Sequence, residues 1–422
     1  MHFRPLHFAV PLLALTSGLP ALALAESFAR LDSNCDNAVD LSDGVYTLEW
    51  LFLGGSPPCC LDGADANDDG RVDTSDAIFS LDFLFRGGPR PRAPFPGCGT
   101  DPTADTLTCV ASPCSAEPTG PELTEWTVPW SNTRPRDPYV GPQGLVWFVG
   151  QRGNYVGSLN PVDGEFKRFE LDPAAAPHNL IVSDVIWYAG NGDSHIGRLD
   201  PTDGTITRFE MPNPTARDPH TLVFDGNGDI WFTVQGGNFV GKLTVASGEI
   251  QLQPVPTAGA RPYGIVVNSQ DVPWVAEFGT HKLARVDPAT LEITEFPLPR
   301  SAARPRRLVV TSDDAVWYVD HSRGFLGRLD PTTGDVEEWQ TPGGTSSRPY
   351  GMAVDDRDRL WFVESGPSPN RFVGFDSATK EFVGGTDIES GGGTVRHMFF
   401  DPNAREMWFG TDANTIGRAV LD

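Results

Sequence analysis

The chain has 422 residues, enough for more than one domain, and a formal net charge of -24. That charge excludes non-specific nucleic-acid binding and describes a self-repelling surface. No internal run is long and apolar enough to span a bilayer as a helix.

The N-terminus has the layout of an export signal. Arg4 supplies positive charge, 8–24 is largely apolar, and Ala23-Leu24-Ala25 is a small-residue cleavage site before Glu26. Pro11 and Pro20 argue against a membrane anchor, and no Cys follows the site to take a lipid. Residues 1–25 are therefore expected to leave near Ala25, with the mature chain secreted, extracellular or periplasmic. All six cysteines lie between Cys35 and Cys114, an even count in an exported chain, so disulfides are expected. Six cysteines allow about fifteen pairings and the sequence chooses none, except that adjacent Cys59 and Cys60 are expected to bond elsewhere.

Residues 26–90 carry a tandem duplication with a shift of 33 residues. Asp32, Asn34, Asp36, Asp40 and Asp43 align with Asp65, Asn67, Asp69, Asp73 and Asp76. These oxygen-bearing side chains stand at loop positions 1, 3, 5, 9 and 12, the cage a hard cation such as Ca2+ requires. Gly70 allows the sharp turn in the second loop; Asn37 stands there in the first. A short apolar helix is expected after each loop, over 45–53 and 78–85, stopping at Gly54-Gly55 and Gly87-Gly88. An acidic loop without metal is the plainer reading of either copy alone; two copies in register favour calcium. The pattern resembles the dockerin family, two calcium loops each with one trailing helix. That resemblance implies a cohesin partner, contacted through the hydroxyl positions Leu41-Ser42 and Thr74-Ser75. Leu41 departs from the hydroxyl pair. A calcium-folded appendage without a partner is the alternative. Residues 91–121 are rich in Pro, Gly, Thr and Ala and read as a linker.

From 122 to 422 the chain repeats. Tryptophan recurs at Trp147, Trp187, Trp231, Trp274, Trp317, Trp361 and Trp408, spaced 40 to 47 residues apart. Each copy reads as four short β-branched or aromatic strands joined by Pro- and Gly-bearing turns, as in Pro201-Thr202-Asp203-Gly204. The period is that of propeller blades. The expected fold is mainly β: a monomeric seven-bladed β-propeller plus the small α module. The last copy ends after three strands, and 122–129 resembles the missing fourth, so an N-terminal strand is expected to close the ring. The tryptophans read as core between blades.

The column eleven residues before each Trp should mark the channel mouth. It gives His220, Tyr263, Arg306, Tyr350 and His397. Local Pro-Tyr and Pro-His context places Tyr139 and His178 there in the first two blades. Such a ring reads either as a solvated rim or as a site for a small molecule, peptide or glycan. Asp218, Arg261, Arg304 and Arg348 should rim it, and Glu277, Asp320 and Glu364 should stand near the same face.

The repeat Pro-His/Tyr, then Asp-Gly-x-Ile-Trp-Phe, then Ile-Gly-Arg-Leu-Asp-Pro resembles the streptogramin B (virginiamycin B) lyase family over about 120–422. The resemblance implies opening of a cyclic depsipeptide by elimination, with a His as base and Mg2+ stabilising the developing charge. On this chain it implies His220 as base, His178 as the companion His, and Asp218 as a metal ligand with Asp in place of Glu. The second ligand Glu has no counterpart, since Val234-Gln235 stand there. Two functions stay open: a lyase acting on an ester- or glycoside-containing substrate, or a non-catalytic propeller that binds glycan or peptide. No nucleophile elbow, zinc-protease motif or phosphate loop is present.

Overall fold

A computed structural model describes residues 27–36, 39–95, 97–103, 105–109 and 120–421. The expected signal over 1–25, Asn37, Cys114 and much of the expected linker lie outside them. The chain forms two compact units, Met1–Glu117 and Pro118–Asp422. No described helix is long and apolar enough to cross a membrane.

The first unit contains helices α1 (Leu41–Leu53), α2 (Leu61–Ala64) and α3 (Thr74–Arg86). The two long helices begin about four residues earlier than the apolar pattern indicates. The cause is capping. Asp40 and Asp73 each close a capping box, with Asp43 and Asp76 reaching back to the cap backbone. Both stop at a left-handed glycine, Gly54 or Gly87. At Gly44 an added Cβ would lie 3.3 Å from Leu81, so this glycine lets α1 and α3 pack closely. Cys35 bonds Cys59, Cys60 bonds Cys109, and Cys98 is also disulfide-bonded. Adjacent Cys59 and Cys60 thus bond elsewhere, as expected.

The second unit is a seven-bladed β-propeller of four-stranded antiparallel sheets. Six blades take their strands in chain order, over 135–170, 180–210, 219–254, 262–297, 305–340 and 349–387. The seventh takes three strands from 395–420 and its outer strand from Leu123–Thr127, which pairs with Thr415–Val420. A blade is apolar on both faces, so it folds only by stacking on its neighbours. The seven repeat tryptophans are at most 5% exposed. Trp147 of the first blade shares one buried cluster with Leu180, Ile186 and Tyr188 of the second. Trp231 and Trp361 also donate their indole N–H to Asp225 and Asp355 in the preceding turn, at 3.2 and 3.1 Å.

The feature that positions the site is a bulge in the innermost strand. In the third blade Pro219 pairs with Val234 and Leu222 with Phe232, so one extra residue is accommodated between them. The same irregularity recurs in five other blades. A bulge re-aims side chains and spoils the ladder locally. In the third blade Thr233 repairs the loss: its hydroxyl accepts from Thr221 N at 3.2 Å and donates to Tyr263 O at 2.6 Å.

Candidate functional site at the channel mouth

Each inner strand enters through a rim residue followed, in six blades, by proline. Arg134, Ala176, Asp218, Arg261 and Arg348 hold positive φ there. The residue after the proline, the first of the bulge, faces the mouth. Strand register makes these residues Arg136, His178, His220, Tyr263, Arg306, Tyr350 and Arg396. All but Tyr350 line one depression of about 340 Å3, together with Arg134, Gln151, Asn191, Asp218, Gln235, Arg261 and Phe278.

Two expected members are displaced. Tyr139 pairs with Trp147, so it stands three residues further along the strand, where it packs on Phe399 at 4.0 Å. Arg136 takes the mouth position; Pro135, not Pro138, is the proline that marks it. His397 is one residue too deep because the turn before Trp408 is longer: Trp408 pairs with Phe399, nine residues back, whereas Trp231 pairs with Val223, eight back. Arg396 takes its place. Tyr139 and His397 instead line a second, largely apolar depression of about 420 Å3.

His220 lies between two rings. Its centroid is 3.6 Å from His178 and 3.9 Å from Tyr263. Its Nδ1 meets Thr221 Oγ1 at 2.9 Å, and no described residue hydrogen-bonds its Nε2. His178 Nδ1 meets the His220 carbonyl at 3.1 Å, which requires N–H at that nitrogen. Burial and the nearby arginines hold both histidines neutral, well below their usual range. Arg306 Nη1 donates to Tyr263 Oη at 3.2 Å and to Tyr350 Oη at 2.7 Å, and the two phenols hydrogen-bond each other. Burial raises the Tyr263 hydroxyl, but Arg306, Arg307 and Arg136 outweigh it and bring it below the usual tyrosine value.

Beneath the mouth the channel is plugged by a polar network. Asp137 accepts from Arg136 Nε at 3.0 Å, Asn179 Nδ2 at 3.0 Å and Arg307 Nη2 at 3.1 Å. Arg307 also donates to Thr221 Oγ1 and to the Arg396 carbonyl, at 3.0 and 2.7 Å. One guanidinium thus ties the fifth blade to the first, third and seventh.

The other expected carboxylates are absent from this lining. Asp320 accepts from Arg304 N and Ser322 N, Glu364 accepts from Gly343 N, and Glu277 accepts from Thr280 Oγ1. All three brace turns. Arg304 and Arg348 are not in the lining either.

Asp218 is the one acidic residue of the lining. It accepts from Asn191, and burial pushes its carboxyl up to about 6. The adjacent Gln235 presents an amide where the resemblance asks for a carboxylate. Five arginines share the same wall. One partly protonated carboxylate among five guanidiniums does not fit Mg2+, which is held through carboxylates and water.

In the first unit the duplicated loops have matching internal bonds. Asp32 Oδ1 accepts from Asp36 N and Asp65 Oδ1 from Asp69 N, both at 3.1 Å. Asp43 accepts from Ser33 N, Asn34 N and Asp40 N; Asp76 accepts from Asn67 N and Asp73 N. Asn67 Oδ1 is buried without a partner, as a cation ligand would be. This oxygen-only donor set fits Ca2+. The described carboxylate triad that comes closest together is another one, Asp62, Asp101 and Asp105.

The virginiamycin B lyase family model matches residues 115–370 and 228–422. The chain belongs to the virginiamycin B lyase family. A streptogramin B lyase structure superposes with a TM-score of 0.66 at 27% identity, covering 73% of this chain and 100% of that one. A catalytically inactive virginiamycin B lyase from Staphylococcus aureus with quinupristin gives 0.65 at 27%, covering 71% and 99%. The extracellular domain of a one-component system from B. thetaiotaomicron shares the fold alone, at 15% identity, TM-score 0.56, covering 70% and 39%. No curated protein matches the chain by sequence.

Proposed function

We propose that the propeller is an eliminating enzyme of the lyase type, acting at the channel mouth on an ester- or glycoside-containing substrate outside the cell. The observation that carries this reading is His220: neutral, wedged between His178 and Tyr263, in the lining of an open depression and with no described hydrogen-bond partner on Nε2. His220 takes the acidic α-proton. His178, donating to the His220 carbonyl, braces the strand that presents the base. Tyr263 and Arg306 supply O–H and N–H donors for the charge that develops. Asp218 orders Asn191 at the rim and, on the donor set above, holds no metal.

A second reading has one observation in its favour. The lining lacks the second carboxylate of the resemblance and carries five arginines, which suits a propeller that binds glycan or peptide without turning it over.

The first unit is proposed to be a dockerin-like module. Asp32, Asn34, Asp36, Asp40 and Asp43 would hold one Ca2+, and Asp65, Asn67, Asp69, Asp73 and Asp76 a second. The ion would fix the loop and so the start of the helix behind it. A cohesin-type protein is the proposed partner, after export and removal of 1–25.

The test is turnover of a streptogramin B depsipeptide by the full chain and by His220→Gln, each with Mg2+ and with chelator, read by chromatography and mass spectrometry. A ring-opened product of unchanged mass, lost in the variant, is the expected result. Binding without product in either buffer would favour the second reading.

A further inference from the structure

The mouth is cationic on a protein whose sequence is strongly acidic. Five guanidiniums line it against the carboxylate of Asp218 alone. Arg134 and Arg396 share Asp412, and Arg136 pairs with Asp137. Arg261 and Arg306 have no carboxylate partner among the described residues; both guanidiniums lie over the Phe278 ring. Three donors are buried without a hydrogen-bond partner: Arg136 Nη2, on a residue 3% exposed, Arg306 Nε, and Arg134 Nε, which lies 3.5 Å from Asp412. Idle buried guanidinium donors cost free energy unless an acceptor arrives. The wall is built to receive an anion, and arginine forks fit a carboxylate in two-point geometry.

This inference rests on the eliminating reading above. We propose that the substrate is a uronic-acid glycan whose carboxylate seats on Arg136, Arg261 and Arg306, and that these arginines do without metal what a divalent cation does for a neutral ester. In such a sugar the carbon bearing the carboxylate carries an acidic proton, and the next carbon carries the glycosidic oxygen. The arginines neutralise the carboxylate and hold the second negative charge that grows on it as the proton leaves. His220 Nε2 takes that proton. The C–H electron pair becomes the new C=C bond, and the C–O bond breaks with its pair on oxygen. Tyr263 Oη–H gives that oxygen its proton. The phenolate recovers a proton from the imidazolium through solvent, so atoms and charge balance with no oxidant or hydrolytic water. The bound carboxylate also offsets the arginine charge on His220, so the base strengthens once substrate is seated.

The geometry further fixes the stereochemistry. His220 and Tyr263 rings are 3.9 Å apart, too close for a sugar ring to sit between them. Acid and base therefore serve one face, and the proton and leaving oxygen must be cis. Mannuronate and glucuronate have that arrangement; galacturonate has them trans.

The test offers polymannuronate, polygalacturonate and a streptogramin B depsipeptide to the full chain, each with Mg2+ and with chelator. The readout is the ultraviolet absorbance of the conjugated enoate for the glycans and mass spectrometry for the depsipeptide. Expected are enoate from polymannuronate at the same rate in chelator, and a loss of about 100-fold or more in Arg306→Gln. Arg261→Gln, which removes one of the three guanidiniums that hold the carboxylate, should lower kcat/KM by about tenfold or more. Opening of the depsipeptide without attack on polymannuronate would overturn the substrate class and leave elimination standing. Enoate only with Mg2+ would overturn the role of the arginines, and preference for polygalacturonate would overturn the single-face geometry. No product from any of the three would overturn both readings.

Discussion

His220 and Tyr263 stand on neighbouring blades with ring centroids 3.9 Å apart, and Arg306 donates to the Tyr263 hydroxyl at 3.2 Å. Base and acid are thereby separable by mutation. His220→Gln should lower kcat by about 10^2- to 10^4-fold, the usual cost of a general base. Tyr263→Phe should lower it less for substrates with good leaving groups. Steady-state kinetics on two leaving groups checks this; equal losses would remove Tyr263 from the proton path.

Asp137 is fully buried, with its charge met by Arg136 and Arg307. Arg307→Ala removes one of the two guanidiniums on a buried carboxylate and breaks the bonds to Thr221 and the Arg396 carbonyl, and should cost about 3–5 kcal/mol. The triple change Arg136→Met, Asp137→Leu and Arg307→Met should cost clearly less, because it leaves no member of the buried cluster unmet. Urea denaturation of both variants decides it.

The mouth and plug also set an acid limit. Burial, with Arg307 next, holds His397 down to about 3, and burial with Arg306 and Arg348 holds His321 down to about 4. Both are neutral when folded at neutral pH, and the unfolded forms protonate near 6.5. Stability from these groups is complete above 6.5 and drains as pH falls toward 4 and 3, since only the unfolded chain takes up protons there. Glu277 acts in the opposite sense. Burial raises it to about 7, so its contribution is lost as pH rises through 7. The unfolding free energy from urea denaturation should fall from pH 6.5 downward, and His321→Gln should reduce that fall by ~1–3 kcal/mol.

Much of the architecture is legible in the residues because a blade is local. Seven tryptophans at near-constant spacing, with Pro and Gly at the turns, define strands whose partners lie a few residues away. The mouth is legible to the same extent. His178, His220, Tyr263, Arg306 and Tyr350 follow the rim proline, and the strands place them at the mouth. Tyr139 and His397 mislead for a physical reason: hairpin length varies between blades, and one residue of slip moves a side chain to another level. Counting eleven residues back from Trp147 reaches Arg136, and the Pro135 signal agrees; the competing Pro138-Tyr139 pair hides it. Arg307 and Asp137 are 170 residues apart in sequence. No local pattern announces a bond made across a channel. The start of each helix in the first unit was hidden likewise, because Asp40 and Asp73 serve the loop and the cap together.

Calcium should act on the first unit alone. With the full chain, chelation should lower the unfolding midpoint of that unit and leave the propeller transition in place. A hundredfold excess of ion over Kd corresponds to about 2.7 kcal/mol. Asp76→Ala should remove the calcium response of the second loop by calorimetry; an unchanged response would place the ion elsewhere.

The most direct measurement of the central claim is turnover in heavy-oxygen water, followed by mass spectrometry of both product halves. Elimination by His220 predicts an unsaturated half that gains no oxygen from water, and loss of that product in His220→Gln. Cleavage in which neither half carries the double bond, or an unchanged yield in the variant, would contradict the account.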